Sequence, residues 1–415
     1  MQSHNARITA LARRLPFYYG WMILFCTCSA GFSRQGGAVA TLSIFVEPMT
    51  RDFGWSRAAI SGAVSLGGLL AAMSSPKLGR VLDKSGARLV LCFAVLTTGT
   101  ANLLLSLTNS LAIFYLLFCV ARTNFAGPFD LGIYGAVNNW FVARRALATG
   151  IATVAQMIGL VSLPLIAQTA IARGGWRAGW VAVGAAVLVI GLVPSLLFMV
   201  RRPEDIGLTP DRALVGNLVR PRQPEPEFSR AQALRTGSFW LLCLFTLFAY
   251  PVQAGVSLHQ APYLIERGIP HSVAAQVVSV FSLMSGVASF GFGFFPRSAP
   301  IRYALALTGI ALTIGTFRML GVTSAGEGFL AGAIFGIGVG GLLTLLPIAW
   351  ADYYGRASYG AIRGIALSMQ VLAQAAGPLV SGVLRDWTGT YTRSLQCFVV
   401  LSALSVVAAL LARRP

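Results

Sequence analysis

Apolar runs separated by short polar segments follow one another along almost the whole chain. About twelve of these runs are roughly 20 residues long, the length that a helix needs to cross a bilayer. They lack the polar–apolar alternation of barrel strands, so the pattern predicts membrane-spanning helices. The predicted spans are roughly 18–40, 58–78, 87–107, 111–135, 146–168, 178–200, 237–258, 273–295, 301–320, 328–350, 362–383 and 394–412.

The second half of the chain repeats residues of the first half at a constant offset of 214 positions. The matched pairs include Gly150 and Gly364, Gln156 and Gln370, Pro164 and Pro378, Pro48 and Pro262, Gly54 and Gly268, Gly79 and Gly293, Arg88 and Arg302, and Gly127 and Gly341. The repeat is much longer than the roughly 20 to 50 residues of a solenoid unit. A duplicated apolar chain of this size indicates a transporter built from two parallel repeats.

One long polar stretch, residues 201–236, separates the sixth span from the seventh and is rich in Arg, Pro and Glu. Because this composition buries little apolar surface, we predict a flexible cytoplasmic linker. The expected fold is an all-α membrane protein with a six-helix bundle at 1–200, the linker, and a second six-helix bundle at 237–415. The other loops are too short for a soluble domain, which argues against a sensor.

Composition and charge agree with a membrane protein. Of the 415 residues, 56% are hydrophobic and 11% are charged, whereas a soluble domain carries roughly 25% charged residues. With the N-terminus inside, about 22 of the 32 Lys and Arg residues fall on the cytoplasmic side, so the positive-inside rule explains the formal charge of +19 without nucleic acid. We expect a multi-pass protein of the cell membrane, the inner membrane of a bacterium, with both termini in the cytoplasm.

Residues suited to enzyme or metal chemistry are scarce. All six cysteines fall inside predicted spans, so neither a disulfide framework nor a zinc site is expected. The three histidines, His4, His259 and His271, lie near no nucleophile or set of metal ligands, and no glycine loop for phosphate binding occurs. We therefore predict neither an enzyme nor a bound cofactor or metal.

The loop between the second and third spans carries the motif Gly79-Arg80-Val81-Leu82-Asp83-Lys84-Ser85-Gly86-Ala87-Arg88. This motif resembles the cytoplasmic signature loop of the major facilitator superfamily, in which two six-helix bundles enclose a central site. The family uses the loop as a latch, which implies a cytoplasmic gate at Gly79, Asp83, Gly86 and Arg88. We expect Asp83 to pair with Arg88 or with a cation of the other bundle. The second copy has Arg297 at the position of Asp83.

Further segments are similar to the monocarboxylate transporter and oxalate–formate antiporter branch. They are Tyr19-Gly20-Trp21, Phe53-Gly54-Trp55-Ser56-Arg57, Gly174-Gly175-Trp176-Arg177 and His259-Gln260-Ala261-Pro262-Tyr263-Leu264. The resemblance implies transport of small organic anions, with a proton or by exchange. The arginine that such transporters carry in span eight is missing, and span eleven has Arg363 only at its start. This departure argues against dicarboxylate exchange and favours a smaller or a singly charged substrate.

Charged residues inside a membrane are costly, so each is a functional candidate. Arg34 lies in span one, Arg122 and Asp130 lie in span four, and Arg318 lies near the outer end of span nine. Arg122 belongs to a segment that resembles the family's span-four arginine motif, and both it and Arg34 suit paired hydrogen bonds to a carboxylate. Asp130 is the candidate proton carrier. The alternative for Arg122 and Asp130 is a structural role between helices.

Amide and hydroxyl side chains provide the other candidates for substrate binding. Gln156 and Gln370 are equivalent in the repeat, on spans five and eleven, which line the central cavity in this superfamily. Gln374 shares a helix face with Gln370, and Tyr250 and Gln253 on span seven add a hydroxyl and an amide. The alternative for the glutamines is hydrogen bonding between helices.

The sequence therefore predicts a secondary transporter of small organic anions, in particular monocarboxylates, driven by a proton gradient or by anion exchange. The expected partners are the anion, protons and the lipid bilayer, and a monomer suffices for this fold. The nearest alternative is an exporter of drugs or other hydrophobic compounds. Such exporters tend to carry a glycine-rich motif that ends in Gly-Pro in span five, whereas Leu163 precedes Pro164 here, which argues against this alternative. A non-transporting membrane sensor is the second alternative.

Overall fold

The computed structural model describes residues 2–211, 226–295 and 299–415. Helices dominate these ranges, which contain no β-strand. The chain divides into two compact units: unit 1 is Met1–Glu227 with Gly355–Ser368, and unit 2 is Phe228–Tyr354 with Met369–Pro415. The segment 201–236, predicted as a linker, is described only at its two ends, because residues 212–225 lie outside the described ranges.

Unit 1 contains nine helices in its described residues up to 211. They are α1 (Gln2–Arg14), α2 (Gly20–Arg34), α3 (Val39–Phe53), α4 (Arg57–Ser85), α5 (Ala87–Leu105), α6 (Leu111–Ala126), α7 (Pro128–Trp140), α8 (Arg145–Val187) and α9 (Val193–Phe198). Helix α8 is kinked where Gly174 and Gly175 leave helical φ/ψ angles, and a π-helical turn, Leu188–Leu192, joins it to α9. A short 3-10 helix, Pro203–Ile206, follows.

The remaining helices follow residue 226. They are α10 (Arg230–Leu234), α11 (Gly237–Glu266), α12 (His271–Gly291), α13 (Ile301–Leu320), α14 (Ala325–Tyr354), α15 (Tyr359–Thr388) and α16 (Thr392–Leu411). Helix α15 is continuous, but its first residues, as far as Ser368, belong to unit 1 and the rest belong to unit 2. Within unit 2, α14 packs against α12 and α13, and α16 packs against α11 and α13.

The repeat in the sequence is also a repeat of helix boundaries. Helices α4, α5, α6 and α8 begin 214 residues before α12, α13, α14 and α15 begin, respectively. Glycines with positive φ recur at the same offset, Gly54 with Gly268 and Gly175 with Gly389. Because glycine adopts this conformation at little cost, both copies turn at the same places. The duplication therefore extends to the folded chain.

Ten helices in the described residues are long and apolar enough to cross a membrane. One of them, Arg145–Phe198, has 54 residues and a kink at Gly174, so it is long enough to cross twice. These ten helices therefore provide eleven crossings, and the shorter α2 as the first span completes the twelve predicted membrane spans. Side chains such as Phe93, Leu116 and Val161 are 59%, 68% and 62% exposed, which suits contact with lipid.

Local sequence determines where several helices begin. The hydroxyls of Ser56, Ser110 and Thr236 accept hydrogen bonds from backbone N–H groups three residues later, at 3.0, 3.3 and 3.3 Å. Such caps satisfy N–H groups that have no partner within the helix. In the interior of unit 1, the rings of Phe45 on α3 and Trp180 on α8 stack with centroids 3.8 Å apart.

Candidate functional site

Span four is broken between its two charged residues. Helix α6 ends at Ala126 and α7 begins at Pro128, with Gly127 between them at φ −114° and ψ −85°. Pro128 has no backbone N–H and cannot continue the hydrogen bonding of α6. Arg122 therefore lies near the end of α6, whereas Asp130 lies in the first turn of α7, where the helix dipole favours a negative charge.

Span one is also interrupted next to its charged residue. Helix α2 ends at Arg34, and a 3-10 turn, Gln35–Gly37, leads into α3. Gly37 approaches the backbone of Ala121 on α6 so closely that any side chain there would clash with the Ala121 carbonyl. Glycine thus lets the interrupted part of span one pack directly on α6, and Arg34 reaches span four.

The Arg34 guanidinium contacts three other helices of unit 1. Its Nη1 donates to Oε1 of Gln156 on α8 at 2.5 Å, and its Nε donates to the carbonyl oxygen of Phe125 on α6 at 2.9 Å. Its Nη2 lies 3.6 Å from Oδ2 of Asp130 on α7. The structure therefore brings together three residues that the sequence singled out separately: Arg34, Gln156 and Asp130.

Asp130 has a second cationic partner, Arg363, which the sequence analysis placed outside the site. Nη2 of Arg363 donates to Oδ1 of Asp130 at 3.2 Å, and the two side chains are 1% and 6% exposed. Arg363 lies in the part of α15 that belongs to unit 1. The expectation that span eleven brings no cation to the site is wrong, because α15 begins at Tyr359 and residue 363 is already one turn inside it.

Arg122 differs from the other two arginines in having no acidic partner. Its guanidinium carbon lies 4.6 Å from the centroid of the Phe125 ring, and that of Arg34 lies 4.5 Å from the same centroid. Its Nη1 is 3.5 Å from the carbonyl oxygen of Gly37, and its buried Nε has no acceptor. Among the described residues, Asp130 pairs with Arg34 and Arg363, and no carboxylate pairs with Arg122.

Further hydrogen bonds extend this cluster along α7 and α8. Nε2 of Gln156 donates to the Tyr134 hydroxyl at 3.2 Å, and that hydroxyl lies 3.3 Å from the hydroxyl of Thr153. All three side chains are buried. Tyr134 was not among the predicted substrate-binding residues, although its position one helical turn after Asp130 was a usable signal.

The predicted binding residues of unit 2 form a separate, uncharged group. Nε2 of Gln374 on α15 donates to Oε1 of Gln253 on α11 at 3.0 Å. Gln370 and Tyr250 are both buried. The structure thus pairs Gln253 with Gln374 through a neutral hydrogen bond.

The signature motif holds the start of α15 within unit 1. The Asp83 carboxylate accepts hydrogen bonds from the backbone N–H groups of Gly360 and Ala361 at 2.8 and 2.7 Å. Gly79 lies so close to the backbone of Gly360 that a side chain at residue 79 would clash with it. Asp83 therefore caps the N-terminus of α15, where unpaired N–H groups and the helix dipole favour an anion.

The expected cationic partners of Asp83 are wrong. Arg88 donates instead to the carbonyl oxygen of Leu196 at 3.0 Å, and Arg201 donates to the backbone carbonyl, not the carboxylate, of Asp83 at 2.7 Å. Gly86, at φ 83°, makes the turn between α4 and α5. Arg297, the counterpart of Asp83 in the second copy, lies outside the described residues.

Comparison with known proteins gives one family at the level of sequence. The sequence model of the Major Facilitator Superfamily matches residues 23–378. The oxalate:formate antiporter of Oxalobacter formigenes is 26% identical over 258 residues, which cover 60% of this chain and 57% of the antiporter. Monocarboxylate transporter 12 of Mus musculus is 23% identical over 414 residues, which cover 90% of this chain and 81% of that protein.

Solved structures agree on the fold. A proton:xylose symporter superposes with a TM-score of 0.75 at 12% identity, over 94% of both chains. The human organic anion transporter MFSD10 superposes with a TM-score of 0.71 at 16% identity, over 96% of this chain and 100% of that one. Because the family's sequence model covers most of the chain and its fold is shared over nearly the full length, the protein belongs to the Major Facilitator Superfamily and is a membrane transporter rather than an enzyme.

Proposed function

We propose that the protein is a secondary transporter of small organic anions, in particular monocarboxylates, that works by alternating access. The observation that carries this proposal is Arg122, a guanidinium on a membrane-spanning helix with no acidic partner among the described residues and with a buried Nε that lacks an acceptor. An uncompensated charge of this kind is costly in a membrane protein. A substrate carboxylate would supply both the countercharge and the missing acceptor, in the bidentate geometry that arginine favours.

The charge balance around Arg122 favours an anion over a neutral or hydrophobic compound. Three guanidinium groups, those of Arg34, Arg122 and Arg363, accompany the single carboxylate of Asp130. The cluster therefore carries a formal surplus of two positive charges. An exporter of hydrophobic drugs has no use for that surplus, whereas a small anion reduces it on binding.

The names of the relatives support the same substrate class. They include the oxalate:formate antiporter and several monocarboxylate transporters. We assign anchoring of the carboxylate to Arg122 and Arg34, with Gln156 holding Arg34 in place. The uncharged side chains of Tyr250, Gln253, Gln370 and Gln374 in unit 2 are assigned to polar, uncharged parts of the substrate.

Two driving forces fit this site, and the proposal includes both. Asp130 is the proton carrier if the protein couples transport to a pH gradient. Exchange of one anion for another requires no such carrier. We further propose that the protein functions as a monomer in the inner membrane of a bacterium, with both termini in the cytoplasm.

The test uses detergent-purified protein and the same protein in liposomes. We expect monocarboxylates to raise the melting temperature, because a ligand that binds only the folded state stabilises it by mass action. Arg122→Gln should abolish this stabilisation, whereas Arg318→Gln, which removes an exposed arginine on α13, should retain it. In liposomes, a pH gradient or counterflow should drive uptake.

Two results would contradict the proposal. Stabilisation by a neutral ligand that persists in Arg122→Gln would reduce Arg122 to a structural residue and reopen the substrate class. Failure of every carboxylate to accumulate, under a pH gradient and in counterflow alike, would reject anion transport. Uptake that is driven by pH and lost in Asp130→Asn would identify proton coupling, whereas pH-independent counterflow would identify exchange.

A further inference from the structure

Two helices that begin at equivalent positions of the repeat, α8 and α15, are each held near their first residue by a distant carboxylate. Asp83 caps α15. The turn that leads into α8 is capped by Asp211, whose Oδ1 accepts from the N–H groups of Val142 and Ala143 and whose Oδ2 accepts from that of Arg144, all at 2.7 Å. Asp211 is 2% exposed. Three hydrogen bonds to one buried carboxylate make this a strong attachment.

Asp211 does not come from the second copy of the signature loop. A strictly duplicated chain would place a carboxylate at residue 297, but the sequence has arginine there, and a guanidinium cannot accept hydrogen bonds from a helix N-terminus. We infer that Asp211 takes over the role of that missing carboxylate, although it binds the turn at 142–144 just before α8 and not the N–H groups of residues 146 and 147 that correspond to 360 and 361. It is a positioning residue that holds the start of α8 in the conformation described here, and its release is a step of the transport cycle.

The same segment has a second attachment, next to α15. Oε1 of Glu204 accepts from Nη2 of Arg356 at 2.5 Å, and Nη1 of Arg356 donates to the carbonyl oxygen of Asn139 at 3.1 Å. Arg356 lies three residues before α15 begins. Residues 203–211, which we call the clasp, therefore hold the chain at the start of both helices within unit 1.

The clasp acts on the charged cluster through the two helices that it holds. Helix α8 carries Gln156, which bonds to Arg34, and α15 carries Arg363, which bonds to Asp130. Movement at the start of either helix would alter these contacts. Only the link to transport rests on the proposed function, since the capping itself can be measured without any substrate.

Hydrogen exchange of the full-length protein in detergent tests the clasp. The variants are Asp211→Asn and Asp211→Ala, and the control is Asp205→Asn, which removes an exposed carboxylate from the same segment. In Asp211→Ala, we expect the amides of residues 142–144 to exchange at least about tenfold faster, because hydrogen bonds to a charged group are lost. In Asp211→Asn, which keeps one acceptor oxygen, we expect this change at the Arg144 amide, which an NH2 group would face. The amides of residues 360–361 should also exchange faster, although Asp83 is intact. The control should change neither.

Exchange at residues 360–361 shows whether residues 203–211 act on both helices or Asp211 acts on α8 alone. Faster exchange confined to residues 142–144 would overturn the clasp, because Asp211 would then act on α8 alone. Unchanged exchange at residues 142–144 would overturn the cap itself. The Asn variant preserves side-chain volume, so it keeps the test valid if the Ala variant fails to fold.

In liposomes, Asp211→Asn should change the maximal uptake rate several-fold and leave the affinity for the anion unaltered. Weaker affinity at an unchanged rate would contradict the assigned role.

Discussion

The two halves of the repeat share the starting positions of four helices but carry different chemistry at equivalent positions. Arg34, Arg122 and Asp130 of the first half correspond to Phe248, Gly336 and Thr344 of the second. The candidate residues of unit 1 form a charged cluster, whereas Gln253 and Gln374 of unit 2 form a neutral pair. Because the second half forms the corresponding helices without these charges, the charges are not needed for helix formation at these positions.

The halves also differ in helix continuity: span one is broken between α2 and α3, where α11 is continuous, and span four is broken as well. Gly127 and Pro128 separate α6 from α7, whereas Gly341 and Leu342 lie inside the continuous helix α14. Leu342 has the backbone N–H that Pro128 lacks, so the helix continues. This single residue difference explains why span four is broken beside Asp130 in the first half, whereas its counterpart in the second half is continuous.

The largest effect is expected from removing the charge of Asp130. Asp130→Asn would leave the buried guanidinium of Arg363 and that of Arg34 without their countercharge, which should lower the free energy of unfolding by about 3–5 kcal/mol. Thr344→Val is the matched change in the second half and should cost less than about 1.5 kcal/mol. Denaturant unfolding in detergent measures both. Equal losses would mean that the charged cluster is no more important for stability than its neutral counterpart.

Restoring helix continuity in the first half should have the next largest effect. Pro128→Leu copies residue 342, and it favours a continuous span four by up to about 3 kcal/mol because the proline penalty is removed. The change should pull Asp130 away from Arg34. Anion uptake should fall at least about tenfold, because a tenfold change corresponds to about 1.4 kcal/mol, which is less than the proline penalty. Uptake in liposomes and helical content by circular dichroism provide the measurement. Normal uptake in this variant would show that the break is unimportant.

Replacing Gln156 or Gln374 should lower the free energy of unfolding by different amounts, because one bonds to a charged group and the other to a neutral one. Gln156→Leu removes an acceptor from the charged Arg34 and should lower the unfolding free energy by about 1.5–3 kcal/mol, whereas Gln374→Leu breaks a neutral pair and should cost about 0.5–1.5 kcal/mol. Both residues are changed to the same apolar side chain, so each serves as a control for the other. A larger loss in Gln374→Leu would reverse the comparison.

The smallest effect is expected at the Glu204–Arg356 pair of the clasp. Burial raises the pKa of Glu204, but the hydrogen bond and the charge of Arg356 outweigh it, and the net pKa lies below the ordinary value of 4.5. The pair therefore stabilises the fold above that value and loses its effect as the pH falls through the lower pKa of the folded state. The Glu204 side chain is 46% exposed, so solvent screening should keep the contribution below about 1 kcal/mol.

Melting temperatures measured at a series of pH values between 7 and 3 test whether the Glu204–Arg356 pair loses its stabilising effect as the pH falls. The wild type should melt above Glu204→Gln at pH 7, and the difference should shrink as the pH approaches 3. A difference that stays constant over that range would show that the glutamate acts through its shape rather than its charge.

Much of the fold was predictable because it depends on local patterns. The apolar runs predicted about twelve membrane-spanning helices, and the 214-residue offset predicted two parallel repeats, in which four pairs of helices begin at matching residues. The site was only partly predictable. Arg34, Arg122 and Asp130 stood out because charges are rare in these spans. Arg363 did not, because it lies at the very start of predicted span eleven, and only the packing of α15 brings it to Asp130.

The sequence by itself determined that this chain forms helices in a membrane, where it repeats, and which residues carry charge in apolar surroundings. The tertiary structure decided which of those charges meet: Asp130 with Arg34 and Arg363, and Arg122 with no acid among the described residues. It also decided that the carboxylates of Asp83 and Asp211 accept hydrogen bonds from backbone N–H groups that are distant in the sequence. Helix formation and membrane insertion depend on neighbours within a few residues, whereas these pairings depend on how separate helices pack, which no local pattern encodes.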